Sequence, residues 1–301
     1  MFITIDIGGT FIKYAEMDNS GEISSRKKIP TPKTNCEDLI ESILKLVKPE
    51  KNKDIKGLAI SCPGTVDKDG TIYYGGSLGY MHEINFKKEL KKYFNIPISI
   101  QNDAKCAALA ELWLGSMKGI DDGVILVLGS GVGGGIILDG KLRDGKTLAS
   151  GELSFLTENL DWANKKATYF GLSGSAVSMV KRIAEELNLP EGTDGQVVFE
   201  YINNKNEIAW GIFEEYCAKI AIQIINLQYI LDVNRFSIGG GISAQPIVVE
   251  TIKKVAKEIL ESEEMHRANV EIVNCKFKND ANLYGALYQL LLDIDNTQNK
   301  L

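Results

Sequence analysis

Asp103 stands in the stretch ISIQNDAKCAALAEL, where a strand-like run gives way to a helix-like one. Two roles are open to a carboxylate at that junction. It can cap the helix by accepting from the first amides. It can also act as general base, taking a proton from a hydroxyl that attacks a terminal phosphate. One rigid, capped carboxylate can do both. Asn102 beside it is placed to hydrogen-bond another hydroxyl of a polyol. Glu152, in SGELSF after a glycine-containing loop, reads either as a solvated loop residue or as one more acceptor for a sugar hydroxyl. The chain holds two histidines, 82 and 266, so a histidine-rich metal site is excluded. His82, in GYMHEINF, reads as an exposed loop residue and His266, in EEMHRAN, as a surface one.

Three glycine clusters carry a second kind of chemistry. DIGGT, residues 6–10, ends an apolar run and turns at once. Glycine lets backbone approach a ligand closely, and successive amides in such a turn form an anion-binding concavity. Gly8, Gly9 and Thr10 can therefore hold phosphate oxygens, and Asp6 next to them suits Mg²⁺ through a water, since that ion takes oxygen ligands and keeps several waters. The alternative is an ordinary hairpin with a satisfied acid. GSGVGGG, residues 129–135, superficially matches a dinucleotide fingerprint, but IILDGKL follows it, a second strand rather than a helix. That context excludes a Rossmann site, and no P-loop motif is present. GGGIS, residues 239–243, does precede a helical pattern, expected from Ala244, so Gly240 and Gly241 can meet a nucleotide at a helix N-terminus.

Positioning these residues requires an alternation of strands and helices. Strands are expected at Ile3–Ile7, Phe11–Met17 and Glu22–Ile29, the last two joined by an Asp-Asn-Ser-Gly turn. Helices are expected over Glu37–Val47, Phe86–Phe94 and from Asp103, with buried strands in IKGLAISCPG and IPISI. From Asp122 the layout repeats: GVILVLGSGVGGGIILDGKL is strand, glycine turn, strand and tight Asp-Gly turn, and NRFSIGGGIS echoes KGLAISCPG. A repeat of that length implies two similar α/β lobes, with the two glycine hairpins across a central cleft, rather than a solenoid. Four further helices are expected, Ser173–Leu187, Ile208–Leu231, Ala244–Glu261 and Ala281–Leu292; the second has an apolar band wide enough for a core helix with an edge at a subunit contact.

Composition narrows the class. The 301 residues suffice for two domains, and 44% hydrophobic with 25% charged residues is ordinary for a soluble globular chain. A net charge of −6 without a basic run argues against nucleic acid. No signal peptide is expected, because Asp6 interrupts the first apolar run, and the uncharged stretch Gly123–Leu138 is too short and glycine-rich for a membrane span. Five scattered cysteines without a C-x-x-C pair fit reduced thiols in a cytoplasmic protein.

Taken together, DIGGT, SCPGTVD, QNDAKCAALAE, GSGVGGGIILDGKL, SGEL and IGGGIS occur in an order and spacing that resembles the ROK family of sugar kinases, over essentially the whole chain. The resemblance implies an actin-like, ribonuclease-H-like two-lobe fold, with lobes 1–116 and 117–280 and the helix of 281–301 packing back on the first. It implies ATP and Mg²⁺ as partners, transfer of the γ-phosphate to the 6-OH of a hexose, and a homodimer without nucleic acid or membrane. Asp103 is then the catalytic base, with Asn102, Glu152, Gly64 and Gly76 on the sugar. Gly8, Gly9, Thr10, Gly131, Gly133 and Gly134 meet phosphates, and Gly240 and Gly241 lie near the nucleoside. Two departures stand out. Family glucokinases carry a cysteine-rich zinc segment after the glutamate, whereas GELSFLTENLDWANKKATYFGLSGSAV contains no cysteine, so zinc is not expected. Phe155 and Tyr169 fall where two polar sugar-gripping groups would stand. That points to the branch resembling β-glucoside kinases, whose substrate carries a substituent on its anomeric oxygen, as in cellobiose. Glucokinase and N-acetylmannosamine or N-acetylglucosamine kinase are the alternatives; a sugar-responsive regulator would need an added DNA-binding segment.

Overall fold

A computed structural model describes residues 1–48, 54–262 and 264–299. The chain divides into two compact units. The first comprises Met1–Gly115, Asp144–Leu148 and the segment from Asn279 onward; the second comprises Ser116–Arg143 and Ala149–Lys278.

In the first unit, β1 (Phe2–Ile7), β2 (Phe11–Met17) and β3 (Ile23–Pro30) form an antiparallel meander. Helix α1 (Cys36–Val47) leads to β4 (Gly57–Cys62), which pairs parallel with β1. Three short strands follow, β5 (Thr65–Val66), β6 (Thr71–Tyr73) and β7 (Ile84–Asn85), in a small sheet of their own. Helix α2 (Phe86–Lys91) precedes β8 (Ile98–Asn102), parallel to β4 and at the end of the order β3-β2-β1-β4-β8, and α3 (Asp103–Leu114) leaves directly from it. All six residues of β1 are buried, as befits a strand covered on both faces. Its Ile3, Ile5 and Ile7 join a core with α1, whereas Phe2 joins a second core on the opposite face. The edge strand β3 is mostly exposed and carries Arg26, Lys27 and Lys28, charges that discourage edge pairing.

The second unit repeats the plan. β9 (Gly123–Leu128), β10 (Val132–Leu138) and β11 (Lys141–Leu142) form the meander, followed by the hairpin β12 (Thr157–Asp161) and β13 (Lys166–Tyr169). Helices α4 (Phe170–Ser173), α5 (Ala176–Glu186), α6 (Gly195–Asn203) and α7 (Glu207–Leu231) precede β14 (Arg235–Gly239), which is parallel to β9. Then come α8 (Pro246–Glu261) and β15 (Ile272–Asn274). The order β11-β10-β9-β14-β15 has the same pattern as the first sheet. Helix α7 buries Ile212, Phe213, Ile220 and Ile224 and leaves Ile222, Tyr229 and Ile230 exposed. Finally α9 (Ala281–Gln298) packs on α3 and on β1, β4 and β8 of the first unit.

Several boundaries depart from the sequence expectation. The helix expected over Ser173–Leu187 is interrupted, because Ser175 caps α5 by accepting from the Ser178 N–H at 3.1 Å, and Gly174 sits against Phe170 and Val132. Helix α8 starts at Pro246 instead of Ala244, since a short 3₁₀ turn, Gly241–Ala244, comes first and proline favours the first helical position. Helix α9 continues six residues beyond Leu292. Helix α6 and the β12–β13 hairpin have no counterpart among the expected elements. The first is short and opens on glycine and glutamine, although its buried Val198, Phe199 and Ile202 follow helical spacing, and the β12 side of the second is exposed throughout and shows no apolar period.

Candidate active site

Asp6 is the penultimate residue of β1 and is 4% exposed. Its Oδ1 accepts from Ser61 Oγ at 3.0 Å and from Asn282 Nδ2 at 3.0 Å, and Lys13 Nζ lies 3.1 Å from Oδ2. Lys13 also donates to the Asn279 carbonyl at 2.7 Å. The following turn is closed by the Gly8 N–H on the Phe11 carbonyl at 3.0 Å. Strand β3 leads into Thr31, whose Oγ1 and N–H clasp the Gly8 and Thr10 carbonyls at 2.7 and 3.0 Å. Lys33 donates to the Gly9 carbonyl. Here the glycines are needed for close approach: a Cβ on Gly9 would lie 2.4 Å from Ser77 Oγ, and one on Gly8 would lie 3.1 Å from the Phe11 carbonyl. Lys13 and Lys33 thus bring two ammonium groups to the turn. No motif marks Lys33, but Lys13 was accessible from the sequence, because a four-residue connection between the paired Ile7 and Ile12 sets Asp6 opposite Lys13.

Asp103 is the first residue of α3, and the cap is its neighbour. Asn102 Oδ1 accepts from the Lys105 N–H at 3.1 Å, while Asn102 Nδ2 donates to the Gly64 carbonyl at 2.9 Å and to Asp103 Oδ1 at 3.1 Å. The Ala104 N–H donates to the same Asp103 oxygen at 2.8 Å. The capping role that the sequence allowed Asp103 therefore falls to Asn102, because a strand-end residue has the extended backbone that a cap requires. Gly64 adopts φ +91°, and a Cβ there would lie 2.6 Å from the Tyr73 carbonyl. Gly76, at φ +58°, donates to the Tyr74 carbonyl at 2.5 Å. Gly64, Asn102 and Asp103 are thereby joined, with Gly76 on the adjoining loop. Between them Tyr74 holds φ +54°, costly for an aromatic residue, with its ring 78% exposed and stacked on His82 at 5.0 Å.

Two thiols lie beneath this strand end, Cys62 and Cys106, both fully buried. Burial, reinforced for Cys62 by the Asp103 and Asp6 charges, pushes both thiols well above their ordinary range. Burial also holds Cys36 up to about 11 and raises Cys217. Thiolate is the reactive form, so iodoacetamide at neutral pH is expected to label the folded protein at the partly exposed Cys275 alone. Mass spectrometry that finds Cys62 or Cys106 alkylated before unfolding contradicts this arrangement.

In the second unit the glycine turn spans Gly129–Gly131, closed by the Gly129 N–H on the Gly131 carbonyl at 3.0 Å. Gly133 and Gly134 lie beyond it, inside β10, opposite Val127 and Leu126. Gly134 makes room for Leu153, whose Cδ1 would be 2.6 Å from a Cβ, and Gly151, at φ +83°, packs on the Gly134 carbonyl. Ser154 Oγ accepts from the Val132 N–H at 2.9 Å and donates to its carbonyl at 3.1 Å. Glu152 therefore sits on a short 3₁₀ turn, Leu153–Phe155, tied to the same β9–β10 turn. Next to it, Phe155 is 71% and Tyr169 46% exposed, and the hairpin carries Trp162, 73% exposed, under Lys165.

A cavity of about 870 Å³ in this unit is lined by Val177, Val180 and Lys181 of α5, the start of α6, Gly241 and Gln245. Its walls are apolar with a few polar groups, the usual character of a small-molecule site. Gly240 does not line it; at φ +91° its Cα faces the Leu128 carbonyl, which would be 2.1 Å from a Cβ. One wall belongs to α6, which the sequence did not announce.

Among the described residues no three His, Cys, Asp or Glu side chains group in a way that could hold a metal ion, and no helix is long and apolar enough to cross a membrane. Mg²⁺ in phosphoryl-transfer sites needs less: one carboxylate, waters and the substrate's own phosphates. Asp6 fits that requirement, since its oxygens already accept from three protein donors and retain capacity for a water.

The chain is similar to several known proteins along its whole length. It is 30% identical to a β-glucoside kinase of Listeria monocytogenes over 95% of this chain and 96% of that one. It is 27% identical to a glucokinase of Halalkalibacterium halodurans, covering 94% and 93%. Among solved structures, a ROK family protein from Streptococcus pneumoniae in complex with sucrose superposes with a TM-score of 0.88 at 29% identity, covering 98% and 99%. Its fold is accordingly the actin-like, ribonuclease-H-like one of the ROK sugar kinases. The ROK family profile matches residues 2–291, and the chain belongs to the ROK family.

Proposed function

We propose that this chain is an ATP-dependent sugar kinase acting on the 6-OH of a hexose whose anomeric oxygen is substituted, such as cellobiose. The observation that carries the reading is Asp103: a carboxylate on the first residue of a helix, oriented by Asn102 Nδ2 and the Ala104 N–H through one oxygen. Its carboxylate takes the hydroxyl proton while the sugar oxygen bonds to the γ-phosphorus and the bond from that phosphorus to the β-phosphate bridging oxygen breaks, leaving ADP. Gly64, Gly76, Asn102 and Glu152 are assigned to sugar hydroxyls, and the exposed Tyr74 ring to a sugar face. The turns at Gly8–Thr10 and Gly129–Gly131 are assigned to the phosphates, with Lys13 and Lys33 beside the first; Gly133 and Gly134 act by shaping the second. The cavity beside Gly241 is assigned to the nucleoside. Magnesium, when bound near Asp6, supplies neutralisation of phosphate charge.

The substituted anomeric position rests on Phe155 and Tyr169, apolar surfaces where a free sugar would want polar partners, and on the relatives named β-glucoside kinase. ADP release measured with cellobiose, gentiobiose, glucose and N-acetylmannosamine is expected to give the highest kcat/KM for the two disaccharides. Preference for free glucose would turn the assignment to glucokinase, and preference for N-acetylmannosamine to the corresponding kinase. No ADP release with any sugar would remove the kinase reading.

A further inference from the structure

A second cavity, of about 820 Å³, lies wholly within the first unit, and none of the residues assigned above to substrates lines it. It opens along β8, the end strand of its sheet, whose outer backbone edge has no strand neighbour among the described residues. The C-terminal half of α9 and the Asp144–Leu148 segment complete its walls.

Gln101 gives this cavity its polar centre. The residue is 8% exposed and lines the cavity. Its Oε1 accepts from the Asn102 N–H at 2.8 Å, which leaves its Nε2 donor without a protein acceptor among the described residues. An amide donor on a cavity wall can exchange its water for an acceptor on an occupant, gaining the modest net worth of one hydrogen bond. Across the cavity, the Asp293 carboxylate is held by Ser99 Oγ at 2.7 Å and Gln289 Nε2 at 2.9 Å, with acceptor capacity left on each oxygen. Three carboxylates, Asp67, Asp144 and Asp293, stand against two lysines, 68 and 87, so the lining does not favour an anion. Donor amide, carboxylate acceptors and the apolar Val66, Ile100 and Leu148 together match the hydroxyls and C–H faces of a neutral polyol.

We infer that this cavity is a second carbohydrate site, distinct from the one at Asp103, and that its occupant acts on catalysis through Gln101. An acceptor on the occupant fixes the Gln101 amide; that amide holds the Asn102 N–H, and Asn102 both caps α3 and orients Asp103. A second link runs along α3. Lys105, 2% exposed, donates to Asp144 Oδ1 at 3.2 Å on the cavity wall and reaches the Leu148 carbonyl at 3.4 Å. Coupling between two such sites is reciprocal, so phosphorylatable sugar at one alters the affinity of the other.

The inference rests on the kinase reading for its probe. Cellobiose titrated calorimetrically into the full-length Asp103→Asn variant, which cannot turn the sugar over, is expected to fill two sites per chain. Thr297→Trp, placed on the exposed end of α9 to fill the cavity, is expected to reduce the titration to one site per chain. Gln101→Glu keeps the acceptor for the Asn102 N–H but removes the donor, and is expected to weaken the second site by about tenfold or more, the worth of one buried hydrogen bond. In the otherwise native enzyme, Thr297→Trp is expected to retain ADP release while losing any departure from simple saturation with sugar. A single site per chain, untouched by Thr297→Trp and Gln101→Glu, overturns the second site and leaves the kinase reading standing. Absence of ADP release with every sugar, alongside two cellobiose sites, overturns the kinase reading instead.

Discussion

Asp103→Asn is expected to lower kcat by about 10²–10⁴-fold, the usual worth of a positioned general base, with the sugar's dissociation constant changed little. Asparagine is nearly isosteric with aspartate, and its oxygen can still accept from the Ala104 N–H and from Asn102 Nδ2. The α3 cap is unaffected, because Asn102 supplies it. What is lost is the carboxylate's capacity to take a proton. The measurement is ADP release at saturating sugar and nucleotide, with calorimetric binding of the sugar to the same variant. Full turnover would remove Asp103 from the mechanism. Loss of sugar binding together with turnover would make it a binding residue instead.

The second large effect concerns the support of that residue. Gly285→Ala in α9 is expected to destabilise the protein by about 3 kcal/mol or more, at the top of the range for overpacking. Helix propensity alone predicts the opposite sign, a gain of roughly 1 kcal/mol for replacing a mid-helix glycine with alanine. Sterics decide the outcome. A Cβ at Gly285 would lie 1.7 Å from the Cys106 carbonyl oxygen and 2.4 Å from its carbon, which are backbone atoms of α3 and cannot rotate away. The two helices must separate, and Asp103 begins one of them. Chemical denaturation read by circular dichroism tests the prediction. A stabilised variant, or one within about 0.5 kcal/mol of the parent, the range of a neutral surface change, would show that α3 and α9 do not cross so closely.

The two predictions draw on different layers of the molecule. Asp103 was legible from sequence: an apolar strand-like run meeting a helix-like run places its carboxylate at a junction whatever the rest of the chain does. The glycine turns were legible for a similar reason, since glycine between two apolar runs lets the backbone turn tightly and approach a ligand. The motif order added the family. The distribution of labour inside those motifs was less accessible. Asn102 and not Asp103 caps α3, and Gly133 and Gly134 are strand residues beyond the turn, the second of which admits Leu153. Each outcome depends on a neighbour that comes from elsewhere in the chain or on the backbone angle of one residue, and motif spacing records neither.

Local sterics and hydrogen bonding, which act over a few residues, let the amino-acid order alone determine the paired strand-turn-strand units, the carboxylate at a helix start and the absence of a cysteine-rich segment after Glu152. Tertiary structure alone decided that Asp6 is held by Ser61 and Asn282, 55 and 276 positions away. It alone set α6 as a wall of the cavity beside Gly241, and placed Gln101 on the wall of the cavity along β8. These contacts arise when distant segments pack, and the free energy that selects them belongs to the assembled core and is carried by no single stretch of chain.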